Sequence, residues 1–325
     1  MRVHLNLLLG ALDPGRFKAY LLSPQPLGAM AIHLPVALGD RLSTKDLAAA
    51  AALWNFLRRE RPGLLHLHGR KALLVGAPIA HWFGIPYVYT VHGFPNAWAG
   101  SAWEDRWLQR AAAVILVSAA LVPWAEARGL KEWVVIPNAL RPEVLKLSWA
   151  GVAGGRRVIT VARLNPDKGV DLLLRALREV PGATLQVIGS GPEEGPLKSL
   201  SRELGLDTRV SFAGSVPDPG PRLAAADVYV QPSRSEGFGL AALEAMAIGL
   251  PVAASAVGGL VDLLGQGERG WLFPPEDPVS LAATLEGLSN DPQAAGRREA
   301  ARQYARRFTA ARLGEETMAV YERLL

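Results

Sequence analysis

DVYVQPSRSEGFGLAALEAMAIGLPVAAS, residues 227–255, reads as strand, loop, helix, strand. DVYVQPS (227–233) and PVAASA (251–256) are short apolar runs bounded by turn residues. GLAALEAMAI (239–248) is apolar on nearly every face, and Glu244 is its single charge. A helix that is apolar all round is a buried helix. Two buried strands joined by a buried helix predict a parallel sheet with helices on its faces.

The same alternation runs outward in both directions. KAYLLS (18–23), LLHLHG (64–69), YVYTVHG (87–93), AVILVS (113–118) and WVVIPN (133–138) read as strands, with helices at 44–60, 70–83, 103–111 and 119–128. A second series opens at RVITVAR (157–163) and continues with TLQVIGS (184–190) and RVSFAGS (209–215) before the opening stretch. Its helices fit 168–179, 193–204, 219–225, 239–248 and 258–264. Between the series, SWAGVAGGRR (148–157) has three glycines and no periodicity, as a linker would. The last 26 residues, from AARQYARRF onward, read as one helix. The expected architecture is two doubly wound α/β (Rossmann-like) domains facing a cleft, with the ligand site at the C-terminal strand ends. The boundaries are 1–148 for the first α/β domain, 149–156 for the linker, 157–305 for the second α/β domain, and 306–325 for a helix packing back on the first domain. A chain of 325 residues suits two domains.

There are no cysteines, which excludes disulfides, thiolate metal sites and cysteine nucleophiles. The N-terminal apolar run is short and lacks a small-residue cleavage site, so no signal peptide is expected. No uncharged apolar stretch of about 18 residues is present, so a cytoplasmic chain is expected. Residues 1–145 hold 15 Lys and Arg against 9 Asp and Glu, a net of +6, while residues 146–325 hold 20 against 21. A basic half suits nucleic acid, an anionic membrane or a phosphorylated substrate, and equally an ordinary arginine-rich surface. Without a zinc-binding or RNA-binding signature, nucleic acid is not expected, whereas peripheral contact at the inner face of a membrane is. Trp98, Trp103 and Trp107 with Arg106 and Arg110 fit a membrane-facing or sugar-stacking surface; the plainer reading makes Trp103 and Trp107 an i,i+4 core pair.

VIGSGPEEG (187–195) has the spacing Gly-x-Gly-x-x-x-Gly, and Glu193 and Glu194 stand where a pyrophosphate needs positive potential. It reads as a tight strand-to-helix turn with acids suited to the helix dipole. ITVARLNPDKGVDLLLRAL (159–177) is more telling. Arg163 ends a strand and Lys168 opens a helix on the same loop, so two cations stand beside a helix N-terminus and can neutralise a diphosphate. In the opening stretch, the loop carries Glu236, and Gly237 and Gly239 let the backbone approach a ligand closely. A buried Glu244 costs several kcal/mol unless paired. Either a neighbouring arginine or hydroxyls satisfy it, or it accepts the paired hydroxyls of a ribose. His66, His68 and His92 follow strands of the first domain and are structural by default. No His-Glu-x-x-His or Asp-x-Asp pattern occurs, so no metal and no cofactor is expected.

As a set, VARLNPDKGVDLLLRA, LQVIGSGPE, VSFAGSVPD, ADVYVQPSRSEGFGLAALEAMAIGLPVAASAVGG and GWLFPPEDPVSLAATL resemble the family-4 group of retaining glycosyltransferases, which have the GT-B fold. The resemblance is dense from about 157 to 290. It is looser in LHLHGRKALLVGAPIAHWFGIPYVYTVHGF and VVIPNAL. It implies metal-independent transfer of a sugar from a UDP- or GDP-sugar to a sugar, polysaccharide or lipid-linked acceptor, as in glycan, cell-envelope or glycolipid synthesis. It implies that Arg163 and Lys168 bind the diphosphate with the N–H groups of Gly239 and Leu240. Glu244 would hold the ribose, Glu236 and His92 the donor sugar, and Gly214–Val216 would lie by the base, with Gly237 and Phe238 completing the donor loop. Glu236, His92, Arg163 and Lys168 are then the catalytic set. The family opens with a strand and a glycine-rich loop; here residues 1–12 resemble the helix that follows, so either that opening is missing or the first strand and helix are compressed. A catalytically impaired nucleotide-sugar-binding protein acting as a partner subunit is the alternative expectation.

Overall fold

The computed structural model describes residues 2–27, 31–36, 44–94, 102–151 and 156–325. Trp98 and residues 152–155 of the expected linker lie outside them. The chain divides into two compact units, one of Met1–Ala139 with Phe308–Leu325, the other of Leu140–Arg307.

The first unit opens with helix α1 (Arg2–Ala11), followed by β1 (Tyr20–Ser23) and β2 (Ile32–Pro35), which pair in parallel. Then come α2 (Thr44–Glu60), β3 (Leu65–His68), α3 (Arg70–Trp82), β4 (Tyr87–Val91), α4 (Ala102–Leu108), β5 (Ala113–Leu116), α5 (Val122–Ala127) and β6 (Trp133–Val135). Strands β3 to β6 form a parallel sheet in sequence order. β4 is buried at every position, as its continuous apolar run requires.

The second unit contains β7 (Arg157–Val161), α6 (Val170–Arg178), β8 (Thr184–Ile188), α7 (Glu194–Glu203), β9 (Val210–Phe212), α8 (Gly220–Ala224), β10 (Val228–Gln231), α9 (Leu240–Ile248), β11 (Val252–Ser255), α10 (Gly259–Leu263), β12 (Trp271–Phe273), α11 (Pro278–Gly287) and α12 (Ala294–Ala305). Its parallel sheet has the order β12-β11-β10-β7-β8-β9. The chain starts at the centre with β7, winds outward to β9, then returns to lay β10 on the other side of β7. That is the doubly wound order, and its switch point lies between β7 and β10. Leu173, Leu174 and Leu177 of α6 and Leu281 and Leu285 of α11 pack on Val158, Leu185, Val187 and Val230 of the sheet.

The last helix, α13 (Ala310–Leu324), returns to the first unit. Its Leu313, Val320 and Tyr321 join Leu8, Val88, Ile115 and Ile136 in one core. The expected single helix at the C-terminus is therefore corrected to two. Thr309 interrupts it with extended backbone, and its hydroxyl accepts the Arg312 N–H at 3.2 Å, capping α13. The first expected strand is shorter than KAYLLS, β2, β12 and α11 were not expected, and α12 begins six residues before the expected C-terminal helix. β12 has three residues, too few for a pattern to stand out. Trp107 is 5% exposed but Trp103 is 51% exposed, so this i,i+4 pair is half in the core. The rings meet edge to face at 5.5 Å, with the Arg106 and Arg110 guanidinium groups over them. At the start of the expected linker, the Trp149 N–H donates to the Ile248 carbonyl at 2.8 Å, and its indole N–H donates to the Ala226 carbonyl at 2.8 Å.

Candidate functional site

The carboxyl ends of β7 and β10 flank the switch point, and the loops leaving them carry the expected charges. After β7 the chain makes a short 3₁₀ turn, Pro166–Lys168, and enters α6 through Gly169 at φ 62°. A Cβ on Gly169 would lie 1.9 Å from the Pro232 carbonyl oxygen, so the two loops touch backbone to backbone. Arg234 fastens them. Its guanidinium donates to both oxygens of Asp171 at 2.8 Å and to the Pro166 carbonyl at 2.7 Å, and its backbone N–H donates to the Asp167 carbonyl. This fork-on-fork pairing holds the guanidinium firmly charged, with Asp171 the main cause and Glu276 a further one.

That clamp sets Lys168 against Glu236. The ammonium Nζ lies 2.6 Å from Glu236 Oε2. The same oxygen accepts from Gln231 Nε2 at 3.1 Å and from Ser233 Oγ at 3.4 Å. Gln231 is in turn bonded to the Tyr229 hydroxyl, and both are buried at the end of β10. Arg163, five residues before Lys168, is exposed and enters no ion pair among the described residues. The loop therefore offers one free cation and one cation balanced by a carboxylate.

Gly237 and Phe238 are buried, and Gly239 opens α9 at φ 90° with no side-chain cap. The first N–H groups of an α-helix have no intrahelical acceptor, so an anion at this end finds donors and a favourable dipole. Gly214 and Ser215 sit at the neighbouring strand ends. The Gly189 N–H donates to the Gly214 carbonyl at 2.8 Å, and the Ser190 and Ser215 hydroxyls are 2.8 Å apart. Val216 continues that loop, half-buried. The glycines of VIGSGPEEG serve packing: a Cβ on Gly191 would meet the Leu164 carbonyl oxygen at 2.1 Å.

Glu244 is 5% exposed within α9, and its Oε1 accepts from Arg141 Nε at 2.9 Å. Of the two ways to satisfy it, the arginine is present. Arg141 also reaches Asp218 Oδ1 at 2.9 Å, and its Nη2 is buried with no acceptor among the described residues. Burial pushes the Glu244 carboxyl above its usual range, and Arg141 opposes that shift. A carboxylate has about four acceptor sites, so Arg141 leaves capacity for a ligand.

His92 belongs to the other unit and sits among histidines. His68 Nδ1 lies 3.1 Å from His92 Nε2, and the His4 ring meets His92 edge to face at 4.8 Å. Burial lowers all of them, His4 to about 4, His66 to about 3 and His92 to about 2, so the rings are neutral at pH 7. The structure thus gathers Arg163, Lys168, Glu236 and Gly237–Leu240 on one edge of the second sheet, with Glu244 a turn inside α9. Sequence reasoning missed Gln231, Arg234 and His4 as site residues. Gln231 alone gave a local signal, as the polar last residue of an apolar strand.

A model described as Glycosyl transferases group 1 matches residues 150–308, and one described as Glycosyltransferase Family 4 matches residues 3–144. The chain is 32% identical over 286 residues to a 2-deoxystreptamine glucosyltransferase of Streptomyces kanamyceticus, covering 76% of this chain and 73% of that protein. The chain belongs to the group 1 glycosyltransferase family. This glycosyltransferase is similar in fold to the sucrose-phosphate synthase of Thermosynechococcus elongatus, with TM-score 0.78 and 25% identity over 90% of this chain and 83% of that one. It is also similar to HepE of Anabaena solved with UDP-glucose, with TM-score 0.75 and 27% identity over 89% of this chain and 85% of that one. These likenesses establish the GT-B fold. Against the other curated relatives compared, the glycosyltransferase spans 40–66% of their length. Among the described residues, no helix is long and apolar enough to cross a membrane.

Proposed function

We propose that this glycosyltransferase transfers a sugar, with retention at the anomeric carbon and no metal at the diphosphate, from a UDP- or GDP-sugar to a sugar, polysaccharide or lipid-linked acceptor. The observation that carries the reading is the switch point of the second unit. The free Arg163, the Lys168–Glu236 pair at 2.6 Å and the uncapped start of α9 share that strand edge. The leaving group is a nucleoside diphosphate, so the main catalytic task is to stabilise charge developing on its phosphate oxygens. Arg163, Lys168 and the N–H groups of Gly239 and Leu240 are suited to that. The diphosphate would draw Lys168 from Glu236, leaving the carboxylate to accept from donor-sugar hydroxyls. Glu244 would accept from the ribose diol on the side not taken by Arg141, and Gly214–Val216 would border the base. His92 is proposed to contact the donor sugar. The leaving phosphate would take the acceptor's proton, with no carboxylate nucleophile. HepE, solved with UDP-glucose, supports a uridine donor.

The test is turnover of UDP-glucose and GDP-mannose against an acceptor panel, with the product anomer read by NMR. An α-linked product from an α-linked donor is expected. A β-linked product would refute retention, and nucleotide binding without transfer would favour an impaired binding subunit.

A further inference from the structure

The first unit carries a histidine cluster that sugar transfer leaves unexplained. α1 brings His4, the end of β3 brings His68, and the residue after β4 is His92. One ring nitrogen of each lies within 4.8 Å of the other two. His68 and His92 already face each other nitrogen to nitrogen at 3.1 Å. Three imidazoles holding one ion at about 2.0–2.1 Å in tetrahedral geometry have their nitrogens about 3.3–3.4 Å apart. The rings have to close in, and the proton of the His68–His92 hydrogen bond has to move to an outer ring nitrogen.

His4 is the decisive residue. It is 3% exposed, and its Nδ1 pairs with the amide oxygen of the buried Asn138 at 2.9 Å. That bond fixes the proton on Nδ1 and leaves a lone pair on Nε2. Nε2 is buried with no hydrogen-bond partner among the described residues. An unsatisfied buried acceptor is unfavourable, and a ligand to that lone pair would remove the cost. A metal-bound histidine that gives its other N–H to an amide or carboxylate oxygen is the usual outer-sphere arrangement. His66 shows the contrast. Both its nitrogens are occupied, by the Tyr321 hydroxyl at 2.6 Å and by Thr90 Oγ1 at 2.7 Å, so it packs beside the cluster without a free lone pair.

We propose that His4, His68 and His92 form a three-histidine site for a borderline divalent cation of the zinc class, with Asn138 orienting His4 and one coordination position left open. The ligand set supports that class: three neutral nitrogens with no thiolate or carboxylate suit Zn²⁺ or Co²⁺ and do not suit Mg²⁺ or Ca²⁺. Coordination uses one nitrogen of His92 and leaves the other. The site lies within the first unit and stands whether or not the chain transfers sugar.

The test uses the full chain without a polyhistidine tag, stripped with a chelator and titrated with ZnCl₂ by calorimetry. CoCl₂ in a second titration reports geometry by its visible absorption. One Zn²⁺ per chain is expected, with a tetrahedral Co²⁺ spectrum and a Zn²⁺-dependent rise in melting temperature. His4→Gln and His68→Gln should each weaken binding at least tenfold and abolish the thermal shift. Asn138→Ala should weaken it about ten- to a hundredfold. His81→Gln, at an exposed position outside the cluster, should bind as the wild type. Far-UV circular dichroism identifies any variant that fails to fold, and the remaining His4 or His68 variant then decides. Wild type that takes up no stoichiometric zinc, or a folded His4→Gln that binds it undiminished, would overturn the proposal.

Discussion

Removing the Arg141 guanidinium leaves Glu244 as a carboxylate inside an apolar helix. The two are 2.9 Å apart, with side-chain exposures of 17% and 6%. Exposed ion pairs are worth about 0–1 kcal/mol, whereas removing one partner of a buried pair costs about 3–5 kcal/mol. Asp218, at 45% side-chain exposure, is solvated without Arg141 and adds little. Glu244 can limit the damage by taking up a proton, so Arg141→Ala is expected near the lower end, about 3 kcal/mol at pH 8. Burial already raises this carboxyl above the usual glutamate range, and loss of the arginine raises it further. A folded-state pKa above the unfolded one means the native protein binds more protons, so stability falls as pH rises through the folded pKa. The deficit should therefore shrink from pH 8 towards pH 5. Urea unfolding of wild type, Arg141→Ala and Arg141→Met/Glu244→Leu, followed by circular dichroism at both pH values, measures it. The double variant, with no buried charge, should lie within about 1–2 kcal/mol of wild type, since an apolar pair replaces a buried ion pair at little cost. A deficit below about 1 kcal/mol in Arg141→Ala, equal at both pH values, would show that Glu244 is not held by this pair.

Gly169→Ala places a Cβ 1.9 Å from the Pro232 carbonyl oxygen at a φ of 62°. It should cost more than the roughly 1 kcal/mol of a strained left-handed residue alone, seen as a lowered melting temperature. Glu236→Gln keeps an acceptor for Gln231 and Ser233 but removes the charge; kcat should fall about ten- to a hundredfold with the donor KM little changed, corresponding to one charged hydrogen bond. The neutral histidines of the first unit have folded pKa values below the usual histidine value of 6.5, so they contribute stability above it that is lost as pH falls towards the folded values of about 4 for His4 and about 3 for His66. At pH 5.5 the loss should be roughly 1 kcal/mol for each histidine that stays neutral, and His66→Gln should flatten the melting profile between pH 7 and 5.

The doubly wound order of the second unit was legible because its strands are continuous apolar runs and α9 is apolar all round. Glu244 could be singled out because it interrupts that helix. Its partner could not, since Arg141 lies 103 residues away and only tertiary structure pairs them. Lys168 and Glu236 were each visible as a loop charge, but their pairing across 68 residues was not. Thr309 did signal a helix start, yet alanine- and arginine-rich neighbours hid the break. The histidine cluster was hidden for a topological reason: His4 is far from His68 and His92 in the chain and reaches them only because α1 packs against α13 and the sheet core.

Calorimetric titration of the wild type, Arg163→Ala and Lys168→Ala with UDP and with GDP tests the central claim most directly. The wild type should bind one of the two nucleotides. Each variant should bind it about ten- to a hundredfold more weakly, the loss of one charge-assisted contact to phosphate. A wild type that binds neither nucleotide, or folded variants that bind as tightly as the wild type, would contradict it.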